Sequence, residues 1–306
     1  MIGFLARRGA ITLFVVFAIS VICFILSHVA IDPAAGIAGD SATDADLAAV
    51  RAQYGFDRPL LTQYLDYLGN LSQGDLGVSY LTRQPVREML MERFPATALL
   101  AVLSILFALF VALPLGILAA LRPNSFVDRA ALTLAVVGQA IPNFWAGLLL
   151  ILLFGVNLGW LPISGSDTFA HFVLPAITLG SFAMPALMRL TRAGMIEVLE
   201  ADYIRTARAM GLSERKILAK YALRNAVLPV VSLTAVQFGF MLGGSIVVES
   251  IFAIHGVGYL AWQSMGRADM PVIQAIVLVI SLIYIGLTLL ADAINAALDP
   301  RLRSGR

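Results

Sequence analysis

The sequence predicts an all-α membrane protein with about six transmembrane helices. Two observations lead there. Hydrophobic residues make up 59% of the 306 and charged residues only 13%. A soluble chain would carry about a quarter charged residues to cover its surface. The apolar residues also gather into runs as long as a helix needs to cross a bilayer, roughly 20 residues at 1.5 Å each. The net charge of +2 is small and says nothing of partners, and no nucleic acid is expected among them.

In chain order the runs are 10–31, 97–121, 130–156, 171–190, 226–248 and 272–297. The first follows Arg7 and Arg8, as a signal peptide would. It continues through Ile31, however, and Ala34-Ala35-Gly36 is a weak cleavage motif, so a retained helix is expected. Pro114, Pro142, Pro175 and Pro185 fall inside later runs. Each proline frees a backbone carbonyl that neighbouring helices or water must satisfy, so these helices are expected to pack on protein as well as lipid. Lys and Arg set the orientation. With the N-terminus inside, the inner segments hold all 21 basic residues except Arg51, Arg58, Arg83, Arg87, Arg93 and Arg267. Both termini are therefore expected in the cytoplasm. The organisation that follows is a first span (1–31), an extracytoplasmic loop (32–96) and a transmembrane core (97–306) holding a cytoplasmic loop at 190–225.

The two long loops carry local structure. In the outer one Thr43 can cap a short helix ended by Gly55, with Leu47, Val50 and Tyr54 on one face. Pro59 suits the first turn of a second helix bearing Leu60, Tyr64, Tyr67 and Leu68. The inner loop fits two helices. One runs from about Ile196 to Met210, with Tyr203, Ala207 and Met210 on one face and Gly211 as its stop. The small residues Ala201, Ala207 and Ala209 would let another protein surface come close to its backbone. The second starts at Ser213, with Glu214 in its first turn and Ile217, Leu218 and Tyr221 as an apolar stripe. A basic helical hairpin in an inner loop could equally follow from topology alone.

The helix–glycine–helix pattern resembles the motif of ATP-binding-cassette import permeases, usually written EAA, three residues, Gly, nine residues, I-x-L-P. Gly211 and Ala207 match; Arg205 and Thr206 replace the Glu and first Ala; Tyr221, Leu223 and Arg224 stand at the Ile, Leu and Pro. The variant DYIRTARAMGLSERKILAKYALRNAVLP is closer to the dipeptide, oligopeptide and nickel import subfamily. So are YGFDRPLLTQY (54–64), GDLGVSY (74–80), RFPATALLAV (93–102), QFGFMLGGSIVVESIF (237–252) and RADMPVIQA (267–275). One departure is His255-Gly256-Val257-Gly258, where the subfamily tends to have Pro-Gly-x-Gly; the glycines are expected to preserve the turn.

The resemblance implies a type I importer permease fold and alternating access driven by two separate ATP-binding subunits. It also implies a second, related permease, an extracytoplasmic substrate-binding protein and a bacterial inner membrane. It assigns ATPase coupling to Ala201, Asp202, Tyr203, Arg205, Thr206, Ala207, Arg208 and Gly211. Cargo among the subfamily includes dipeptides, oligopeptides, glutathione, nickel chelates and some sugars. The chain has two lysines, Lys216 and Lys220, and neither closes a G-x-x-x-x-G-K-[ST] loop, so ATP hydrolysis falls to a partner and no cofactor is expected. The lone Cys23 can form neither an intrachain disulfide nor a thiolate metal cluster. Polar residues within spans are the candidates for a translocation path: Gln139, Asn143 and Gln237, with Glu249 at a span end, where a carboxylate in water or paired at the rim is at least an equal alternative. An intramembrane protease is disfavoured because Gly243-Gly244-Ser245-Ile246 lacks the final glycine and all three histidines fall at or beyond span ends. An ion-driven transporter is disfavoured because the span centres lack charge.

Overall fold

The computed structural model describes residues 2–26, 32–39 and 42–298, and these form helices joined by short turns. In order they are α1 (Ile2–Ile25), α2 (Pro33–Ala38), α3 (Asp44–Tyr54), α4 (Leu60–Ser72), α5 (Val86–Leu121), α6 (Phe126–Ala140), α7 (Asn143–Leu150), α8 (Ala170–Glu200), α9 (Asp202–Ala209), α10 (Glu214–Lys216), α11 (Leu223–Ala226), α12 (Leu228–Gly244), α13 (Ile246–Ile251), α14 (Val257–Gly266) and α15 (Met270–Leu298). Two π-helical turns, Ile151–Asn157 and Ile217–Ala222, extend α7 and α10.

Three helices are long and apolar enough to cross a membrane unaided: α5, α8 and α15 over Met270–Ala291. Two more of the predicted spans are bent. The run 130–156 is α6 followed by Asn143–Asn157 at 100°, and the fifth run, as Leu228–Gly243, follows Glu214–Ala226 of the expected inner loop at 53°. The 100° bend has a local cause. Pro142 disfavours helix for the residue before it, and Ile141 is extended at φ −80°, ψ 121°. Pro175 and Pro185, in contrast, sit inside an unbroken α8. Hydroxyls bond back to carbonyls of the same stretch there, Thr178 to Leu174 O at 2.8 Å and Ser181 to Thr178 O at 2.8 Å. The first predicted run is helical to Ile25, with an apolar stretch of Thr12–Ile25. Its expected continuation over 27–31 lies outside the described residues.

The chain divides into two compact units, one drawn from Met1–Thr97 and His255–Ile285, the other from Ala98–Ile254 and Gly286–Arg306. In the first unit Thr43 caps α3 in a full capping box with Asp46, and Gly55 closes it in the left-handed region at φ 72°, as expected. Pro59 precedes α4 as its cap residue rather than entering its first turn. Tyr64 and Tyr67 of α4 meet Phe24 of α1 at ring-centroid distances of 5.2 and 6.0 Å, and the Tyr64 hydroxyl lies 2.8 Å from Ser20 Oγ. The buried Asp269 carboxylate accepts hydrogen bonds from Ser79 Oγ and, at 3.0 Å, from Tyr80 N, tying the 74–85 loop to the turn before α15. Burial, with the Asp269 charge nearby, pushes the Tyr80 phenol up to about 12.

The second unit is organised by α8, two-thirds of whose apolar window is buried and which packs against α6, α7, α9, α11, α12 and α13. Lipid is as apolar as a leucine side chain, so helix association depends on close packing and small residues. A Cβ on Gly180 would lie 2.5 Å from Ser104 O of α5, and one on Gly194 would lie 2.8 Å from Ala226 O of α11. The Asp128 carboxylate, 2% exposed, holds Arg192 of α8 with two hydrogen bonds of 2.6 and 2.7 Å and also accepts from Asn124 N. After α13 the chain reverses at Ala253, not at a glycine of the His255–Gly258 stretch. Ala253 takes φ 49° while Gly256 is extended at φ −91°. Ala253 N and Ile254 N bond to Ser250 O and Glu249 O, the paired closure that needs one left-handed residue past a helix end.

Gly180→Ala forces the α5–α8 crossing apart and should cost about 1–3 kcal/mol, read as a lower melting temperature in detergent. Gly69→Ala, in α4 with nothing within 4 Å of the added carbon, should be neutral or stabilising by up to about 1 kcal/mol.

Candidate functional site

The loop after α8 does not begin with the expected helix at Ile196. Residues 196–200 complete α8, Ala201 is extended at ψ 147°, and α9 starts at Asp202. An Asp in the first turn favours a new helix start there by complementing the helix dipole. The break has no Gly or Pro to announce it.

α9 is eight residues long and has one inward face. Ile204 and Ala207, three residues apart, are buried in a cluster with Ala120, Met195, Ile217, Ala222 and Ala226. The expected grouping of Tyr203, Ala207 and Met210 is therefore split: Ala207 points into the core, whereas Tyr203 and Met210 are 43% and 74% exposed. Ile204 is the reason, since burying the one large aliphatic side chain of the helix fixes which face turns inward. Asp202, Arg205, Thr206, Arg208 and Gly211 lie exposed, and Ala201 is half-buried.

The end of α9 is built on Gly211, which takes φ 75°. Gly211 N bonds to Arg208 O at 2.9 Å and Leu212 N to Ala207 O at 3.2 Å, the Schellman pair, and Leu212 packs on the same cluster. A Cβ at Gly211 would meet nothing within 4 Å, so the backbone angle, not space, calls for glycine. Arg208 reaches across this turn to Glu214 at 2.9 Å, and Asn225 Nδ2 donates to the Tyr203 hydroxyl at 2.9 Å, pinning α9 to α11. The π turn at 217–222 seats both Ile217 and Ala222 in the core. The outcome is a surface knob: a polar outward face with Tyr203 and Met210 beside it, on an apolar footing.

The other sequence candidates lie on four different helices. Gln139, exposed at the end of α6, accepts from Nη1 and Nη2 of Arg189, each at 3.2 Å. Asn143 is half-buried at the start of α7, after the Pro142 break, and Gln237 is half-buried on α12. Glu249 departs from one of its expected settings, a carboxylate in water. It is wholly buried on α13 and accepts from Ser245 Oγ at 2.8 Å, instead of standing in water at a rim. Two polar anchors were missed in the sequence, Asp128–Arg192 and Asp269. The signal for Asp128 was present locally, a Ser-x-x-Asp helix start at Ser125, but its ion pair spans 64 residues.

Comparison with known proteins identifies the frame that carries this loop. The family described as binding-protein-dependent transport system inner membrane component matches residues 112–304, and the N-terminal family of the same transport systems matches 1–101. The chain is 42% identical over 304 residues to the glutathione transport system permease protein GsiC of Escherichia coli strain K12, covering 99% of each chain. To its counterpart in Salmonella choleraesuis strain SC-B67 it is 43% identical over 286 residues, 93% of this chain and 94% of that one. An inward-facing MetNI methionine ABC transporter structure shares the fold at a TM-score of 0.58 and 20% identity, over 69% of this chain and 96% of that chain. The chain belongs to the binding-protein-dependent transport system inner membrane components, and it is a membrane permease subunit of an importer.

Proposed function

We propose that this permease is one of two related membrane subunits of an ATP-driven importer of glutathione or similar small peptides. In this reading two ATP-binding subunits drive it and an extracytoplasmic binding protein delivers the cargo. The cargo assignment rests on the relatives named as glutathione permeases, which match the chain from end to end. The distribution of Lys and Arg supports a bacterial cytoplasmic membrane location with both termini inside.

One observation carries the coupling assignment: α9 is a short, polar-faced helix fixed to the core by Ile204, Ala207 and the Gly211 turn. Such a knob transmits force without bending. An ATPase groove would take Asp202, Tyr203, Arg205, Thr206 and Arg208 on its outward face, with Ala201 and Gly211 at its ends and Ala207 as its footing. Displacement of α9 would then pass through Met195 into α8 and through Ala226 into α12, shifting the helices that carry Gln237. Coupling of this kind requires two arrangements of the helices, each favoured by one state of the ATPases. Gln139, Asn143, Gln237 and Glu249 are the polar groups offered to the path, the buried Glu249 as a fixed wall element held by Ser245.

Gly211→Val puts a β-branched residue at a left-handed angle and disrupts the Schellman turn. Membrane levels should hold while glutathione uptake by the assembled system falls at least tenfold. Wild-type uptake by this variant would remove α9 from the coupling path. Gln237→Leu should change uptake rate or cargo preference severalfold. Unchanged transport kinetics would make Gln237 a packing residue.

A further inference from the structure

A cavity of about 310 Å³ in the first unit is lined by Glu92, Arg93, His255, Tyr259 and Gln263. Every one of these side chains carries a polar atom. The cavity lined by Leu106, Phe107, Leu109, Phe110, Leu113 and Pro114 is apolar in contrast, as a lipid-facing groove would be. α5 supplies the adjacent Glu92 and Arg93, and α14 supplies Tyr259 and Gln263 one helical turn apart. His255 is exposed just before α14 and meets the Tyr259 ring edge to face at 5.2 Å.

Arg93 is the half-buried cation of this wall. Its Nη1 is buried and has no hydrogen-bond partner among the described residues. The acceptor a guanidinium fits best is a planar carboxylate, taken through two parallel hydrogen bonds. Glu92, exposed beside it, supplies the opposite charge. An anion alone would be repelled by Glu92. A group bearing both a carboxylate and an ammonium matches both residues, and the α-amino-carboxylate end of an amino acid, peptide or γ-glutamyl compound is such a group. The volume sits at the lower end for small-molecule sites, roughly 300–1,000 Å³, so it suits one terminal residue and not an extended peptide. His255 adds a ring nitrogen to the wall at the position where the sequence departs from Pro-Gly-x-Gly.

We propose that Glu92, Arg93, His255, Tyr259 and Gln263 form a subsite for the zwitterionic end of a peptide-like cargo. Arg93 takes the carboxylate and Glu92 the ammonium. This rests on the importer reading above and adds to it a location on the permease itself.

The test is uptake of labelled glutathione and labelled glycylglycine by liposomes holding the complete importer with its binding protein. ATP hydrolysis is followed in the same preparations. Arg93→Gln and Glu92→Gln should each lower uptake at least tenfold while ATP hydrolysis stimulated by the loaded binding protein persists. Arg93→Lys, which keeps the charge but not the two parallel hydrogen bonds, should fall between Arg93→Gln and the wild type. Uptake by Arg93→Gln and Glu92→Gln within twofold of wild type overturns the subsite and leaves the importer reading intact. Joint loss of uptake and stimulated hydrolysis in all three variants marks a structural role and also overturns it. Failure of the wild-type importer to take up either compound removes the peptide reading, and the subsite with it.

Discussion

The close crossing of α8 with its neighbours is the constraint on which the second unit depends. Inside a bilayer no hydrophobic force draws helices together, so they must fit closely enough for dispersion and a few polar contacts to outweigh their contacts with lipid. Gly180 lets the backbone of α5 reach α8, and Gly194 does the same for α11. Asp128 then locks α6 to α8 through Arg192 with a bidentate pair. With those contacts fixed, α8 has little freedom to move alone.

The end of α8 is where α9 sits. The cluster of Met195, Ile204, Ala207, Ile217, Ala222 and Ala226 is small, but it joins α8, α9 and the returning stem into one apolar nucleus. Its outward side is polar, with the large side chains of Tyr203 and Met210 exposed beside it. In the proposed reading this division of labour is the mechanism. The inward face carries displacement, and the outward face meets the ATPase. The Tyr203–Asn225 bond and the Arg208–Glu214 pair resist twisting of the knob; the latter is exposed and contributes orientation more than stability.

Much of this was legible in the sequence where the cause is local. Apolar run length located α5, α8 and α15, Thr43 announced a helix start, and Gly55 and Gly211 announced two ends. What was not legible depends on residues distant in the chain. Pro142 breaks its helix, while Pro175 and Pro185 sit inside an unbroken α8 whose apolar window is two-thirds buried. The inward turn of Ala207 follows Ile204, which is buried against Met195 and Ile217, residues that lie outside the helix itself. Glu249 sits at a span end in sequence yet is wholly enclosed, which only the packing of its neighbours reveals. The turn expected at the glycines of His255–Gly258 falls instead at Ala253, because α13 stops there and its last carbonyls need a left-handed residue.

The most direct test of the central claim places a cysteine at Thr206, exposed on α9, and crosslinks it in native membranes before purification; the natural Cys23 is buried and so a poor competitor. The account predicts that the crosslink joins this chain to an ATP-binding subunit and that a second permease purifies with the complex. A chain that purifies alone, or a cysteine at 206 that reacts with a membrane-impermeant thiol reagent outside intact cells, would contradict it.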